Sequence, residues 1–141
     1  MMVLPSVLES IRAHGARAYP YEACGFVLGA FDPSGPPLGL KACEARNSRE
    51  PGKRRRRFSI EPEEFLAAEL KAGSEGLDIL AIYHSHPDHP ALPSANDLEK
   101  ALPFYRYLIV SVEKGVPGDL TCWLLENDRS KFTAQNITLS E

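Results

Sequence analysis

Near the start of the chain, Leu4, Val7, Leu8 and Ile11 recur at the spacing of one helical face, with Gly15 as a stop, which predicts a helix over 5–15. The pattern then shortens. Gly25 to Phe31 is an apolar run closed by the turn formers Asp32-Pro33-Ser34-Gly35-Pro36-Pro37, and Leu38 to Glu44 reads as the returning strand. Ala45 to Lys53 has little periodicity and is expected to be an exposed loop that could contact a substrate. Phe58-Ser59-Ile60 reads as a short strand. Pro62, early acids and then Phe65, Leu66 and Leu70 predict a second helix ending near Gly73. Asp78 to His86 reads as a strand, and Ser94 opens a third helix through Leu98, Ala101 and Leu102. Tyr105 to Val112 and Leu120 to Leu125 predict a hairpin about Gly115, Pro117 and Gly118, and Phe132 to Leu139 a weaker final strand. The fold class is α/β, a sheet packed by helices.

Candidate chemistry concentrates where the fourth strand meets the third helix. His84 and His86 are two apart, so on a strand both imidazoles leave the same face and can reach one ion. Catalytic zinc commonly takes three protein ligands and keeps a place for water. Asp97 can be the third, because Pro87, Pro90 and Pro93 stiffen a loop that returns it to the histidines. Ser94 and Asp97 also have the spacing of a helix capping box, which needs no metal. The two readings are compatible, since a helix start can aim a hydroxyl and a carboxylate at a site.

His84-x-His86, seven intervening residues, Ser94, two more and Asp97 resemble the JAMM or MPN-plus metallopeptidases, whose pattern adds an upstream glutamate. Glu22, in Pro20-Tyr21-Glu22-Ala23-Cys24-Gly25-Phe26-Val27-Leu28-Gly29, matches that position, and the resemblance runs from about Glu22 to Val112. It implies a single mixed β-sheet packed by helices, the cytidine-deaminase-like JAB/MPN fold. It further implies one Zn2+ per chain on His84, His86 and Asp97, with Glu22 as general base and Ser94 as hydrogen-bond donor to the oxyanion.

Composition adds bounds. At 141 residues and 43% hydrophobic, the chain is read as one domain over 1–141. Sixteen basic against nineteen acidic side chains give a net charge of −3, which favours neither nucleic acid nor an anionic membrane as partner. The N-terminus has no signal-peptide pattern and no apolar run reaches about eighteen residues, so a cytoplasmic location is expected. Cys24, Cys43 and Cys122 lack metal or disulfide spacing and read as reduced thiols, with Cys24 as a packed small residue beside Glu22. Lys53-Arg54-Arg55-Arg56-Arg57 reads first as a solvated run and second as a site for an anionic partner. Asp88 and His89 could compete as ligands, though the motif spacing favours the other set. His14, near the predicted end of the first helix, is accounted for by the helix dipole.

The resemblance also implies a substrate class: a ubiquitin-like or sulfur-carrier protein with a C-terminal Gly-Gly, cut at a peptide or isopeptide bond. The short span between His86 and Ser94 leaves no room for a large recognition insertion, so the chain is similar to the compact bacterial members that trim such carriers. An extended Gly-Gly tail is expected to add as a strand to a sheet edge. Two alternatives stay open, a non-catalytic MPN scaffold and a RadC-like DNA-associated protein. A nucleoside deaminase is set aside, because its His-x-Glu and Pro-Cys-x-x-Cys elements are missing.

Overall fold

The structure is a computed structural model that describes residues 1–140. Its strands are β1 (Met2–Val3), β2 (Cys24–Ala30), β3 (Leu38–Ala45), β4 (Asp78–Pro87), β5 (Arg106–Glu113), β6 (Val116–Leu125), β7 (Phe132–Gln135) and β8 (Thr138–Leu139). Three helices, α1 (Pro5–Ala18), α2 (Pro62–Ser74) and α3 (Ala95–Lys100), interrupt them. The strands form one mixed sheet in the order β7-β6-β5-β4-β2-β3-β1-β8, as expected for the class.

β4 lies inside this sheet. It pairs antiparallel with β2 and parallel with β5, so all but its first residue is buried. Protection on both faces explains why its apolar run is nearly continuous rather than alternating. One face holds α1, whose Val7 and Ile11 pack with Val27, Leu80, Tyr83, Leu108 and Val110. The other holds α2, where Ala68 and Ala72 pack with Phe26, Leu28, Ile79 and Ile82.

The two ends of the sheet lie close together. β7 and β8 are at opposite edges, yet only Asn136 and Ile137 separate them, and so short a link spans about 11 Å at most. The sheet therefore curls around α1, which touches both β3 and β6.

Several boundaries differ from expectation. α1 continues past Gly15 to Ala18, because Gly15 is a contact point and not a stop: a Cβ there would lie 3.0 Å from Val112 Cγ2. Phe58-Ser59-Ile60 forms no regular element and joins no sheet. α3 stops at Lys100, one residue before extended Ala101, since Pro103 disfavours helix just ahead of it. The expected final strand is two strands on opposite edges. β1 had no periodic signal because it is only two residues long.

Candidate metal centre

β4 carries His84 and His86 to one face with Ser85 on the other, and all three are buried. Ser85 ties the next element in place: its Oγ accepts from the Ala23 N–H at 2.8 Å, and its own N–H donates to the Ala23 carbonyl at 3.0 Å. That contact brings Glu22, just ahead of β2, to the histidine end of β4. Cys24 then pairs with His84 across the sheet.

The donor atoms of the three proposed ligands form a nearly equilateral triangle. His84 Nε2 and His86 Nε2 are 3.1 Å apart, and Asp97 Oδ2 lies 3.2 Å from the first and 3.1 Å from the second. Tetrahedral zinc with bonds of about 2.0–2.1 Å sets its ligand atoms roughly 3.3 Å apart, so these residues fit the ion. His86 Nδ1 sits 2.8 Å from the Pro90 carbonyl, a contact that assigns its proton to Nδ1 and turns the Nε2 lone pair toward the triangle. His84 stacks on Phe58 with ring centroids 4.5 Å apart.

The capping box is also present. Ser94 Oγ accepts from the Asp97 N–H at 3.0 Å, and Asp97 Oδ2 accepts from the Ser94 N–H at 2.9 Å. Capping and ligation thus use the same carboxylate oxygen. The Ser94 hydroxyl accepts in the cap and still has its proton to donate.

Glu22 is 3% exposed, and its Oε1 is buried without a hydrogen-bond partner. Burial, reinforced by the nearby Asp97 carboxylate and opposed by Arg57, pushes its pKa up to about 9. An acid so placed is poised for a neighbouring positive charge. Asp97 behaves oppositely. Burial raises its carboxyl, but hydrogen bonds with His84 and His86 outweigh that and hold it below the usual carboxylate range. Burial also keeps His84 neutral below its ordinary value, the form a ligand needs.

A second group of donor atoms, from Glu22, His86 and His89, lies beside the first. His89 stacks on His86 at 4.2 Å, and its Nδ1 is 2.8 Å from the Pro87 carbonyl. Asp88 is engaged by other groups, accepting from the Tyr19 hydroxyl and the Lys114 N–H. Cys24 is fully buried, and burial pushes its thiol up to about 12, which suits packing and not nucleophilic attack. His14 is no dipole partner at a helix end: it is buried inside α1, with Nδ1 2.7 Å from the Tyr83 hydroxyl.

Sequence reasoning missed Asn47. Its Nδ2 donates to the carbonyls of Glu22 (3.1 Å) and Arg57 (2.9 Å), while its Oδ1 accepts from the N–H groups of Arg49 and Ser59. A lone asparagine in an aperiodic stretch offers no local signal of that role.

The family model described as prokaryotic homologs of the JAB domain matches residues 4–126. The chain belongs to this family. Among relatives, a protein named desampylase from Haloferax volcanii is 34% identical over 111 residues, covering 75% of this chain and 73% of that one. A probable TtuB-protein conjugate cleaving protease from Thermus thermophilus is 34% identical over 102 residues, 67% of this chain but only 59% of that protein. A solution structure of a Salinibacter ruber protein is 44% identical, covers 100% of this chain and 92% of its own, and superposes with a TM-score of 0.79. The fold is also that of a JAB1/MPN domain protein from Archaeoglobus fulgidus, 17% identical with a TM-score of 0.60 over the full length of both chains. Among the described residues of this JAB chain, no helix is long and apolar enough to cross a membrane.

Proposed function

We propose that this JAB protein is a zinc-dependent peptidase that hydrolyses the bond following the C-terminal Gly-Gly of a ubiquitin-like or sulfur-carrier protein. The observation that carries this reading is the His84–His86–Asp97 donor triangle beside the buried, unpartnered Glu22 carboxyl. The names of the relatives, one a desampylase and one a conjugate-cleaving protease, support the substrate class.

His84, His86 and Asp97 would hold the ion. Bound zinc supplies Lewis acidity and lowers the pKa of a coordinated water. Glu22, held protonated at neutral pH by burial and the nearby Asp97 carboxylate, becomes a competent base beside that positive charge and accepts a proton from water. Water's oxygen bonds to the carbonyl carbon, the C–N bond breaks, and Glu22 returns the proton to the leaving amine. The Ser94 hydroxyl donates to the oxygen that gains charge, a contribution typically worth about 100- to 1,000-fold in turnover.

The tail would bind along the Phe58-Ser59-Ile60 segment, because Phe58 stacks on His84 of the internal strand β4, whereas the edge strands β7 and β8 lie at the far ends of the sheet order. Ser59 is tied to Ser48 through its carbonyl, whereas the backbone groups of Phe58 and Ile60 take no part in the hydrogen bonds among the described residues. Alternate free groups are what an added strand requires. Phe58 and Ile60 also line a pocket of about 260 Å³ that reaches His84 and Asp97.

The test is intact-mass analysis of Gly-Gly-tailed carriers with short C-terminal extensions, incubated with zinc-loaded parent or with Glu22→Gln. Removal of the extension by the parent alone is expected. Full activity in Glu22→Gln overturns the mechanism, and absence of cleavage by zinc-loaded, folded parent favours a scaffold.

A further inference from the structure

The arginine run has no part in that chemistry, yet it is fastened to the candidate base. The Glu22 N–H donates to the Arg54 carbonyl at 2.7 Å, and Asn47 bridges the Glu22 and Arg57 carbonyls. The backbone thus places these arginines against Glu22, which a merely solvated run would not require. Arg55, Arg56 and Arg57 line a cavity of about 520 Å³ together with Glu22, His86, His89 and Ser94.

The guanidinium groups there are largely uncommitted. Among the described residues, Arg55 and Arg56 make no side-chain hydrogen bond or ion pair, and Arg57 donates only to the Arg56 carbonyl, at 3.1 Å. The carboxyl groups lining the cavity are Glu22 and Asp88, and Asp88 is already engaged by Tyr19 and Lys114. In a chain of net charge −3, this is a local excess of positive charge at the site.

We propose that this cavity binds the free carboxylate of a single leaving amino acid, so that the enzyme releases a one-residue C-terminal extension in preference to cutting isopeptide bonds. The inference rests on the peptidase reading above and names its substrate class. In a leaving amino acid, the amine and the carboxylate share one carbon, which puts a carboxylate oxygen roughly 3–4 Å from the nitrogen. Glu22 must reach that nitrogen to return its proton. The carboxylate therefore falls in the cavity that Glu22 lines, and the apolar pocket along Phe58 and Ile60 does not include Glu22. Guanidinium forks match a carboxylate in both charge and geometry. The lysine of an isopeptide presents no such anion, because its own carboxyl is tied up in the main chain.

Zinc-loaded Glu22→Gln, which binds without turning over, allows the test by calorimetry. Its ligands are one carrier with a one-residue extension ending in a free carboxylate and the same carrier ending in a carboxamide. The carboxylate form is expected to bind about five- to tenfold tighter, the scale of a charge-assisted pair at a partly exposed site. Adding Arg55→Gln or Arg56→Gln, both at exposed side chains, should bring the ratio toward one. A third carrier, with an aspartate side chain as the only carboxylate of its amidated extension, should bind like the carboxamide; if it matches the free terminus, the cavity reads side-chain charge and the terminal assignment fails. Equal affinity for the first two forms overturns the carboxylate site and leaves the peptidase reading standing. Binding of none overturns the carrier-tail reading and this inference with it.

Discussion

Glu22 and Arg54 are joined by a backbone hydrogen bond of 2.7 Å, so the candidate base and the arginine loop cannot move independently. Asn47 completes the junction with four hydrogen bonds of its own. Asn47→Ala leaves those backbone groups without partners, and each unsatisfied buried group costs about 1–3 kcal/mol. We expect a lower melting temperature together with reduced hydrolysis at unchanged zinc content. Parent-like turnover and stability would show that Asn47 is incidental to the site.

Capping and ligation converge on Asp97 Oδ2, and one substitution separates them. Asp97→Asn keeps an acceptor for the Ser94 N–H but removes the charge. Its helix content should match the parent, while zinc affinity should fall by more than the roughly 10- to 100-fold typical of changes around a metal's ligands. His84→Ala should lose stoichiometric zinc outright. Metal analysis after dialysis checks both, and full retention in either variant removes that residue from the ligand set.

The buried Glu22 carboxyl makes a pH prediction for protein stripped of metal by a chelator. Its pKa is about 4.5 when unfolded and about 9 when folded, so across that window the folded state keeps a proton that the unfolded state releases. The stability linked to this proton is fully present below about 4.5, falls as pH rises, and is gone above about 9. Denaturant titrations of the parent and Glu22→Gln should therefore diverge with rising pH, the variant gaining a few kcal/mol by alkaline pH. Parallel curves would mean that Glu22 is already ionised in the stripped protein.

Gly25 allows the Tyr83 ring to approach β2 closely. A Cβ there would sit 2.4 Å from the Cys43 carbonyl oxygen and 2.5 Å from the Tyr83 ring. Gly25→Ala must displace β3 or the residue preceding His84, and we expect a loss of about 1–3 kcal/mol by chemical denaturation, with weakened zinc binding. An unchanged midpoint would show that the strands can absorb the extra carbon.

His84, His86, Ser94 and Asp97 were legible as a group because they are near neighbours in sequence, joined by one strand, one proline loop and one helix start. Local rules set all three, and α2 and the β5–β6 hairpin were readable for the same reason. Glu22 was recognised by resemblance. Its place beside His86 depends on the antiparallel pairing of β2 with β4 and on the Ser85–Ala23 contacts, which link residues far apart in sequence. The fate of the arginine run was decided at the same level. As a sequence it is a charged stretch with no partner, and only packing joins it to Glu22 through Asn47. Tertiary structure likewise carried α1 past Gly15, where helix and strand pack closely, and sent the last residues to both edges of a curled sheet. The sequence by itself determined which groups could do the chemistry. The long-range pairings, which leave no local periodicity, decided what surrounds them.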